Sequence, residues 1–249
     1  EIHWRDWSSD VCSSDLLGER ECSLQRRSQK LVEIAPSPSL PAPLREAMCD
    51  AALRMARAAR YRSLGTFEFL VALDAATQPT GEFAFIEVNP RLQVEHTVTE
   101  AVMGVDLVQV QLALAGGASL AEAGLREGRV PRGQAIELRI NMETLDADGS
   151  ARPHSGVLDA FDLPSGPGVR VDTFGYAGYA TNPRYDSLLA KLIVHVPGNR
   201  LDLALDRARR ALAEFRIEGV ATNIGFLQSL IADEAVRAGR FDTGYIGAH

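Results

Sequence analysis

Lysine is nearly absent from this 249-residue chain: Lys30 and Lys191 are the only two, against 24 arginines. That imbalance reads as codon bias in a GC-rich genome, because acids still outnumber bases and the net charge is −7, with a pI near 5.3. A general basic surface for nucleic acid is thereby excluded, although a local cationic pocket is not. Cysteine is scarce too. Cys12, Cys22 and Cys49 form no Cys-x-x-Cys pair, which argues against a disulfide framework and a structural zinc site. No apolar run reaches the roughly 18 residues that span a bilayer, and the first residues lack the apolar stretch of a secretory signal. A reducing, cytoplasmic setting without membrane or nucleic-acid partners is the expectation. Apolar residues make up 46% of the chain, enough for a real core and too much for a disordered tail.

Both tryptophans, Trp4 and Trp7, fall in the first seven residues, and Ser8-Ser9-Asp10 recurs as Ser13-Ser14-Asp15. The segment has neither a helical nor an alternating period. It resembles a translated sequencing-adaptor scar, so residues 1–16 are read as an assembly artefact, disordered or weakly packed, on a C-terminal piece of a longer protein. Residues 30–34 suggest a strand end. Ala35 to Pro43 holds four prolines in nine residues and reads as an extended loop. Leu44 to Tyr61 reads as a helix, with Leu44, Met48, Leu53 and Met55 inward and Arg54, Arg57 and Arg60 outward. Two aromatic, β-branched runs, Thr66 to Leu73 and Glu82 to Glu87, flank a turn-rich octet and predict a hairpin. A helix over Thr97 to Ala115 breaks near Gly104.

Leu120 to Arg132 is a polar connector and the expected domain boundary. Beyond it, strands are expected over Ala135–Asn141, Val157–Leu163, Val169–Thr173 and Lys191–Val196. Helices are expected over Leu201–Phe215 and Thr222–Ile231. The fold class is α+β with a mainly antiparallel flavour.

From Glu87 to Glu95 the chain alternates strictly. Glu87, Asn89, Arg91, Gln93 and Glu95 are polar; Val88, Pro90, Leu92 and Val94 are apolar. Wherever the backbone is extended, the five polar groups share one face. A solvated strand face is the plain alternative, but two carboxylates, two amides and one arginine, with no lysine, serine or threonine, speak against it. A symmetric hairpin places Glu68 directly opposite Glu87, with Phe67 and Phe69 on the other face. Two carboxylates so paired repel unless a cation lies between them. Glu68, Glu87 and Asn89 offer only oxygen and favour Mg²⁺ or Mn²⁺, which usually completes its shell with phosphate and water. Spacing alone thus suggests a nucleotide-phosphate site, with Arg91 available for an anion.

Three stretches carry a specific resemblance: Gly18-Glu19-Arg20-Glu21-Cys22-Ser23-Leu24-Gln25-Arg26-Arg27-Ser28-Gln29-Lys30, Gly65-Thr66-Phe67-Glu68-Phe69, and Ile86 to His96. Further matches are Gly104-Val105-Asp106-Leu107, Glu137 to Asn141, Gly168-Val169-Arg170, and Tyr185 to Leu192. Together they resemble the biotin carboxylase component of biotin-dependent carboxylases, in colinear order from Leu17 onward. The resemblance implies the C-terminal part of an ATP-grasp domain over 17–117, a connector over 118–132, and the family's C-terminal domain over 133–249. It implies a ligase that uses ATP to carboxylate carrier-bound biotin with bicarbonate, through carboxyphosphate.

By the same resemblance, Glu68, Glu87 and Asn89 hold the divalent ions on ATP. Arg91 orients bicarbonate, Glu95 is the general base, and Gln93 and Val94 line the bicarbonate and biotin pocket. Arg170 stabilises the biotin enolate, and Leu70 packs on adenine. The implied partners are a biotin carboxyl carrier, a carboxyltransferase component and a second copy in a homodimer. Arg184 departs from the aromatic residue common there. The glycine-rich flap over the phosphates has no counterpart in the chain, which is therefore expected to be inactive alone. The rivals are a carbamoyl-phosphate synthetase-like ligase, against which Gln93 to His96 and Arg170 argue, and a non-catalytic dimerisation piece. His96 and His154 read as structural histidines, Cys22 carries no mark of a nucleophile, and Arg207, Arg209 and Arg210 read as a solvated helix face.

Overall fold

The computed structural model describes residues 2–6, 14–125, 129–146, 149–182 and 186–248, with side chains from residue 16 onward. In chain order the elements are β1 (Ile2–Asp6), β2 (Ser14–Glu19), β3 (Glu21–Arg26), β4 (Gln29–Ala35), α1 (Ala42–Ala59), β5 (Ser63–Leu73) and β6 (Pro79–Asn89). Then follow α2 (His96–Met103), α3 (Leu107–Ala115), β7 (Gln134–Asn141), β8 (Glu143–Leu145), β9 (Ala151–Pro153), β10 (Ala160–Asp162) and β11 (Val169–Thr173). The chain ends with β12 (Leu188–Val196), α4 (Leu201–Glu214), β13 (Arg216–Glu218), α5 (Ile224–Ala232), α6 (Glu234–Arg237) and α7 (Tyr245–Ala248). Two compact units result. One comprises Glu1–Glu21 and Ile34–Gly133, the other Cys22–Glu33 and Gln134–His249. Cys22–Glu33 therefore goes with the second unit, where a colinear reading had placed it in the first.

The first unit holds a four-stranded sheet in the order β2-β1-β5-β6. Residues 2–6, for which the sequence shows no period and predicts no regular structure, pair antiparallel with both β2 and β5. Main-chain partners on two sides make that strand, not its own side-chain pattern. The burial of Trp4 and Trp7 lies outside the described side chains. Helix α1 begins in the proline-rich loop: Pro41 is its N-cap and Pro43 sits in its first turn, where no N–H is required. Its buried positions are Leu44, Met48, Ala52 and Ala56, four apart, against Phe67 and Phe69 of β5. The last two of these positions are alanines, while Leu53 and Met55 are only half-buried. The helix stops at Arg60, which adopts a left-handed conformation and donates its N–H to the Ala56 and Arg57 carbonyls.

Gly104, at φ +64°, ends α2, and the Asp106 side chain caps α3 through the Gln109 N–H at 2.8 Å. The two helices bend by 97° there. No single helix among the described residues is long and apolar enough to cross a membrane.

The second unit is built on a five-stranded sheet, β11-β12-β7-β4-β3, with β11, β12 and β7 antiparallel. Its middle strands are buried along almost their whole length. Helix α4 covers β7 and β12 with Ala204, Leu205, Ala208, Ala211 and Leu212, an amphipathic stripe of helical period. Buried charges are matched across strands. Arg139 pairs with Glu33, Arg26 donates to both carboxylate oxygens of Glu143 at 2.9 Å, and Lys191 lies between Glu137 and Asp172 at 3.8 and 3.7 Å. Of the run expected over Val157–Leu163, residues 160–162 form β10, and Val157 makes one isolated bridge to Ala180. Gly219 passes so close to this segment that a Cβ built on it would lie 1.8 Å from the Val157 carbonyl oxygen.

Cys22 and Cys49 are free thiols. Burial, reinforced by the Glu19 carboxylate, pushes the Cys49 thiol up to about 11. At pH 8 it then carries about two-hundredfold less thiolate than an unperturbed cysteine of pKa about 8.5. Alkylation of Cys49 by iodoacetamide, followed by peptide mass spectrometry, should be correspondingly slow in the folded chain and become fast in denaturant. Rapid labelling of the native chain would contradict the burial.

Candidate active site

The hairpin β5–β6 places Glu68 opposite Glu87, as the sequence predicts. The route to that register differs from the symmetric one. The turn is tighter than assumed, with Leu73 opposite Pro79, and the ladder shifts between Val71 and Leu73 and again between Glu68 and Phe69. Those shifts restore the pairing by the time the strands reach Glu68. Phe67 and Phe69 point the other way and are buried under α1.

Asn89 lies between the two acids. Its Nδ2 donates to Glu68 Oε1 at 3.0 Å and to Glu87 Oε1 at 2.8 Å. The sequence reading expected three side-chain oxygens about one point; the amide here turns its nitrogen to the carboxylates, since two facing acids need a positive group between them. Rotating that amide would present its oxygen instead, giving a donor set of oxygens alone, which fits a hard divalent cation. Among the described residues no three His, Cys, Asp or Glu side chains converge as a metal-ligating group. The site therefore offers a cation a carboxylate pair and an amide, with room for outside ligands.

Period two ends with β6 at Asn89. The Arg91 N–H turns back to the Asn89 carbonyl at 2.8 Å, and the chain then coils into α2. Of the five alternating polar residues, Glu87 and Asn89 lie on the strand, while Gln93 and Glu95 are brought in by the turn. Both are buried, at 6% and 2% exposure. Gln93 Nε2 donates to Glu68 Oε1 at 3.0 Å, which ties the turn to the acidic pair. Arg91 is exposed, and its guanidinium donates to the Leu92 carbonyl. The cation beside Glu95 is Arg20, 3.8 Å away.

Arg20 is the residue that sequence reasoning missed. It stands at the end of β2 with 1% exposure and donates to Gln93 Oε1 at 2.9 Å, Thr99 Oγ1 at 3.2 Å and Thr66 Oγ1 at 3.4 Å. The one available signal was its place in the Gly18–Lys30 stretch. His96, beside Glu95, bonds the Gln93 carbonyl through Nδ1 at 2.8 Å, the structural part expected of it.

Two family models cover most of the chain. Residues 137–248 match the biotin carboxylase C-terminal domain, and residues 10–123 match the carbamoyl-phosphate synthase L chain ATP-binding domain. The biotin carboxylase of Nostoc sp. is 44% identical over 230 residues, which is 92% of this chain and 49% of that protein. The chain carries a match to the biotin carboxylase C-terminal domain and is similar to biotin carboxylases over most of its length.

It spans about half the length of the curated biotin carboxylase that it matches. Among solved structures, a single-chain, multi-domain long-chain acyl-CoA carboxylase superposes with a TM-score of 0.91 at 45% identity, over 99% of this chain and 25% of that one. The biotin carboxylase domain dimer of the Hydrogenobacter thermophilus 2-oxoglutarate carboxylase, in complex with MgADP, ADP and bicarbonate, gives 0.88 at 39%, over 100% of this chain and 52% of that one.

The other residues that the biotin carboxylase resemblance singles out are placed as follows. Val94 is 36% exposed in the turn before α2, and Leu70 is 51% exposed on β5. Arg170 is on β11 in the second unit, forked onto Asp172 with bonds of 2.7 and 2.8 Å. Arg184 and Tyr185 lie outside the described residues.

Proposed function

We propose that this chain works within a biotin carboxylase that uses ATP to carboxylate carrier-borne biotin with bicarbonate, as a component of an acyl-CoA or pyruvate-type carboxylase. The observation that carries the reading is the pair of facing acids, Glu68 and Glu87, bridged by Asn89 and joined through Gln93 to the buried Glu95. A carboxylate pair of this kind beside a separate, buried carboxylate separates a phosphate-facing metal site from a base. The nucleotide, magnesium and bicarbonate named for the Hydrogenobacter domain agree with that division.

Glu68, Glu87 and Asn89 would hold Mg²⁺ or Mn²⁺, which would supply positive charge to offset that of the ATP phosphates. Glu95 takes the proton from bicarbonate, whose freed oxygen attacks the γ-phosphorus; ADP leaves and carboxyphosphate forms. Burial of Glu95 excludes competing water, and the Arg20 guanidinium lies 3.8 Å from its carboxylate. Arg91, exposed at the mouth of the turn, orients bicarbonate, with Gln93 and Val94 lining that pocket. Leu70 packs on adenine. Arg170, held in a fixed fork by Asp172, meets the negative oxygen of the biotin enolate, for which an always-charged guanidinium is suited. A biotin carboxyl carrier, a carboxyltransferase component and a homodimeric partner belong to the same proposal, as do a cytoplasmic location and the domain limits 17–117, 118–132 and 133–249, except that Cys22–Glu33 goes with the last of them. The origin of residues 1–16 as an assembly artefact is part of it also.

The test is complementation. The chain is mixed with the portion of the Nostoc biotin carboxylase that its match leaves uncovered, and ADP release is followed with Mg-ATP, bicarbonate and free biotin. Release that depends on both bicarbonate and biotin, above that of either part alone, is the expected result. A well-mixed complex without turnover, and no Mg-ATP binding by calorimetry, would favour a purely structural piece.

A further inference from the structure

Arg20 stands between two acids in sequence, and both of them are engaged by other groups. Glu19 is engaged by Arg45 at 2.7 Å and by the Ser37 N–H at 3.1 Å, while Glu21 accepts from Ser37 Oγ. The Arg20 guanidinium has no exposed surface. A buried cation must be met by acceptors, and those it meets come from three other places: Thr66 on β5, Gln93 and Glu95 in the turn after β6, and Thr99 on α2.

A guanidinium carries donors only. Gln93 must therefore show Arg20 its oxygen, which sends its nitrogen towards Glu68 Oε1, 3.0 Å away. The reverse orientation would set an NH₂ group against the guanidinium and an oxygen against a carboxylate. One buried arginine thus determines which way round the Gln93 amide stands, and so whether Glu68 receives a donor. The same guanidinium supplies the positive charge beside Glu95.

We propose that Arg20 is a positioning residue, which sets the sense of the Gln93 amide and the place of the Glu95 carboxylate, so that the turn after β6 and the Glu68–Glu87–Asn89 cluster hold together as one site. The Glu95 part rests on the functional reading given above, whereas the Gln93 part stands on hydrogen-bond geometry alone.

The experiment uses the ¹⁵N-labelled chain and follows the Gln93 side-chain amide by NMR, assigned through its disappearance in Gln93→Met. In the wild type this NH₂ pair should exchange slowly with solvent. Arg20→Lys keeps the charge but not the planar fork. The backbone spectrum should persist while the Gln93 pair shifts and loses its protection. An unchanged Gln93 pair in a folded Arg20→Lys chain would overturn the proposal. Thr99→Val, isosteric and charge-neutral, covers the case in which Arg20→Lys does not fold. It should move the same resonance in the same sense by less, and no movement there would also overturn it.

In the complemented enzyme, Arg20→Lys should lower kcat by about 10–100-fold, as loss of a group that orients others commonly does, with KM for ATP unchanged. Adding Gln93→Met should cost little more, because both changes disable one unit; fully additive losses would count against positioning. Lack of turnover in the wild-type mixture would remove the functional reading and leave the NMR outcome to decide the geometry.

Discussion

Glu95→Gln is expected to lower bicarbonate-dependent ADP release by roughly 10²–10⁴-fold, the range a positioned general base contributes. The substitution is nearly isosteric and keeps an acceptor oxygen toward Arg20. The guanidinium retains Gln93, Thr66 and Thr99, so it is not left without acceptors. What disappears is the ability to take a proton. The loss should therefore fall on kcat. KM for ATP and the affinity of the chain for Mn²⁺, which depend on Glu68, Glu87 and Asn89, should stay within about threefold, because the near-isosteric change leaves Arg20 on Gln93 and Gln93 on Glu68. Steady-state kinetics of the complemented enzyme and Mn²⁺ titration of the chain read the two quantities apart. A drop of less than about tenfold would remove Glu95 from the role of base. A parallel loss of Mn²⁺ binding would mean that the turn and the acidic pair cannot be separated.

The largest effect on stability is expected from Gly219→Ala. Gly219 has φ +91°, where an L-residue is strained, and its Cβ would meet the Val157 carbonyl oxygen at 1.8 Å. The first contribution is about 1–2 kcal/mol. The second requires two backbone segments to separate, and overpacking of this kind typically adds about 1–3 kcal/mol. Gly178→Ala isolates the first contribution: φ there is +88°, and nothing lies within 4 Å of the added carbon. Chemical denaturation followed by fluorescence and far-UV circular dichroism should place Gly178→Ala slightly below the wild type and Gly219→Ala well below both. Equal costs for the two would show that the loop beside Gly219 yields freely and that the close approach carries no constraint.

The acidic pair was legible because two local facts determine it. A hairpin turn sets register to within a residue or two, and period two then decides which side chains share a face. The symmetric-loop assumption was inaccurate at the tip, yet register shifts farther along brought Glu68 back opposite Glu87. The alternation through Glu95 was legible as composition but not as geometry. The chain leaves extended conformation after Asn89, and only tertiary bonds return Gln93 and Glu95 to the site. Arg20 was not legible at all. Flanked by Glu19 and Glu21 it reads as part of a charged stretch, whereas Thr66, Gln93 and Thr99, to which it donates, lie 46 to 79 residues away. Local pattern carries no information about which acceptors a fold will deliver over such spans. The strand at residues 2–6 escaped for a related reason, since its neighbours and not its own sequence make it a strand.

The five-stranded sheet has a practical corollary for anyone wishing to cut the gene. Strand β7 is flanked on one side by β12 and on the other by β4, which arrives from a hundred residues upstream. A fragment opened at the connector would take β7 without β4 and β3. It would bare a run of main-chain N–H and carbonyl groups on a strand rich in Ile136, Leu138 and Ile140, the kind of open rim that recruits other copies into aggregates. It would also strand Arg139 without Glu33 and Glu143 without Arg26. The connector is thus only one of the places where the chain passes between the two units, and soluble expression of the C-terminal portion calls for carrying residues 21–35 along with it.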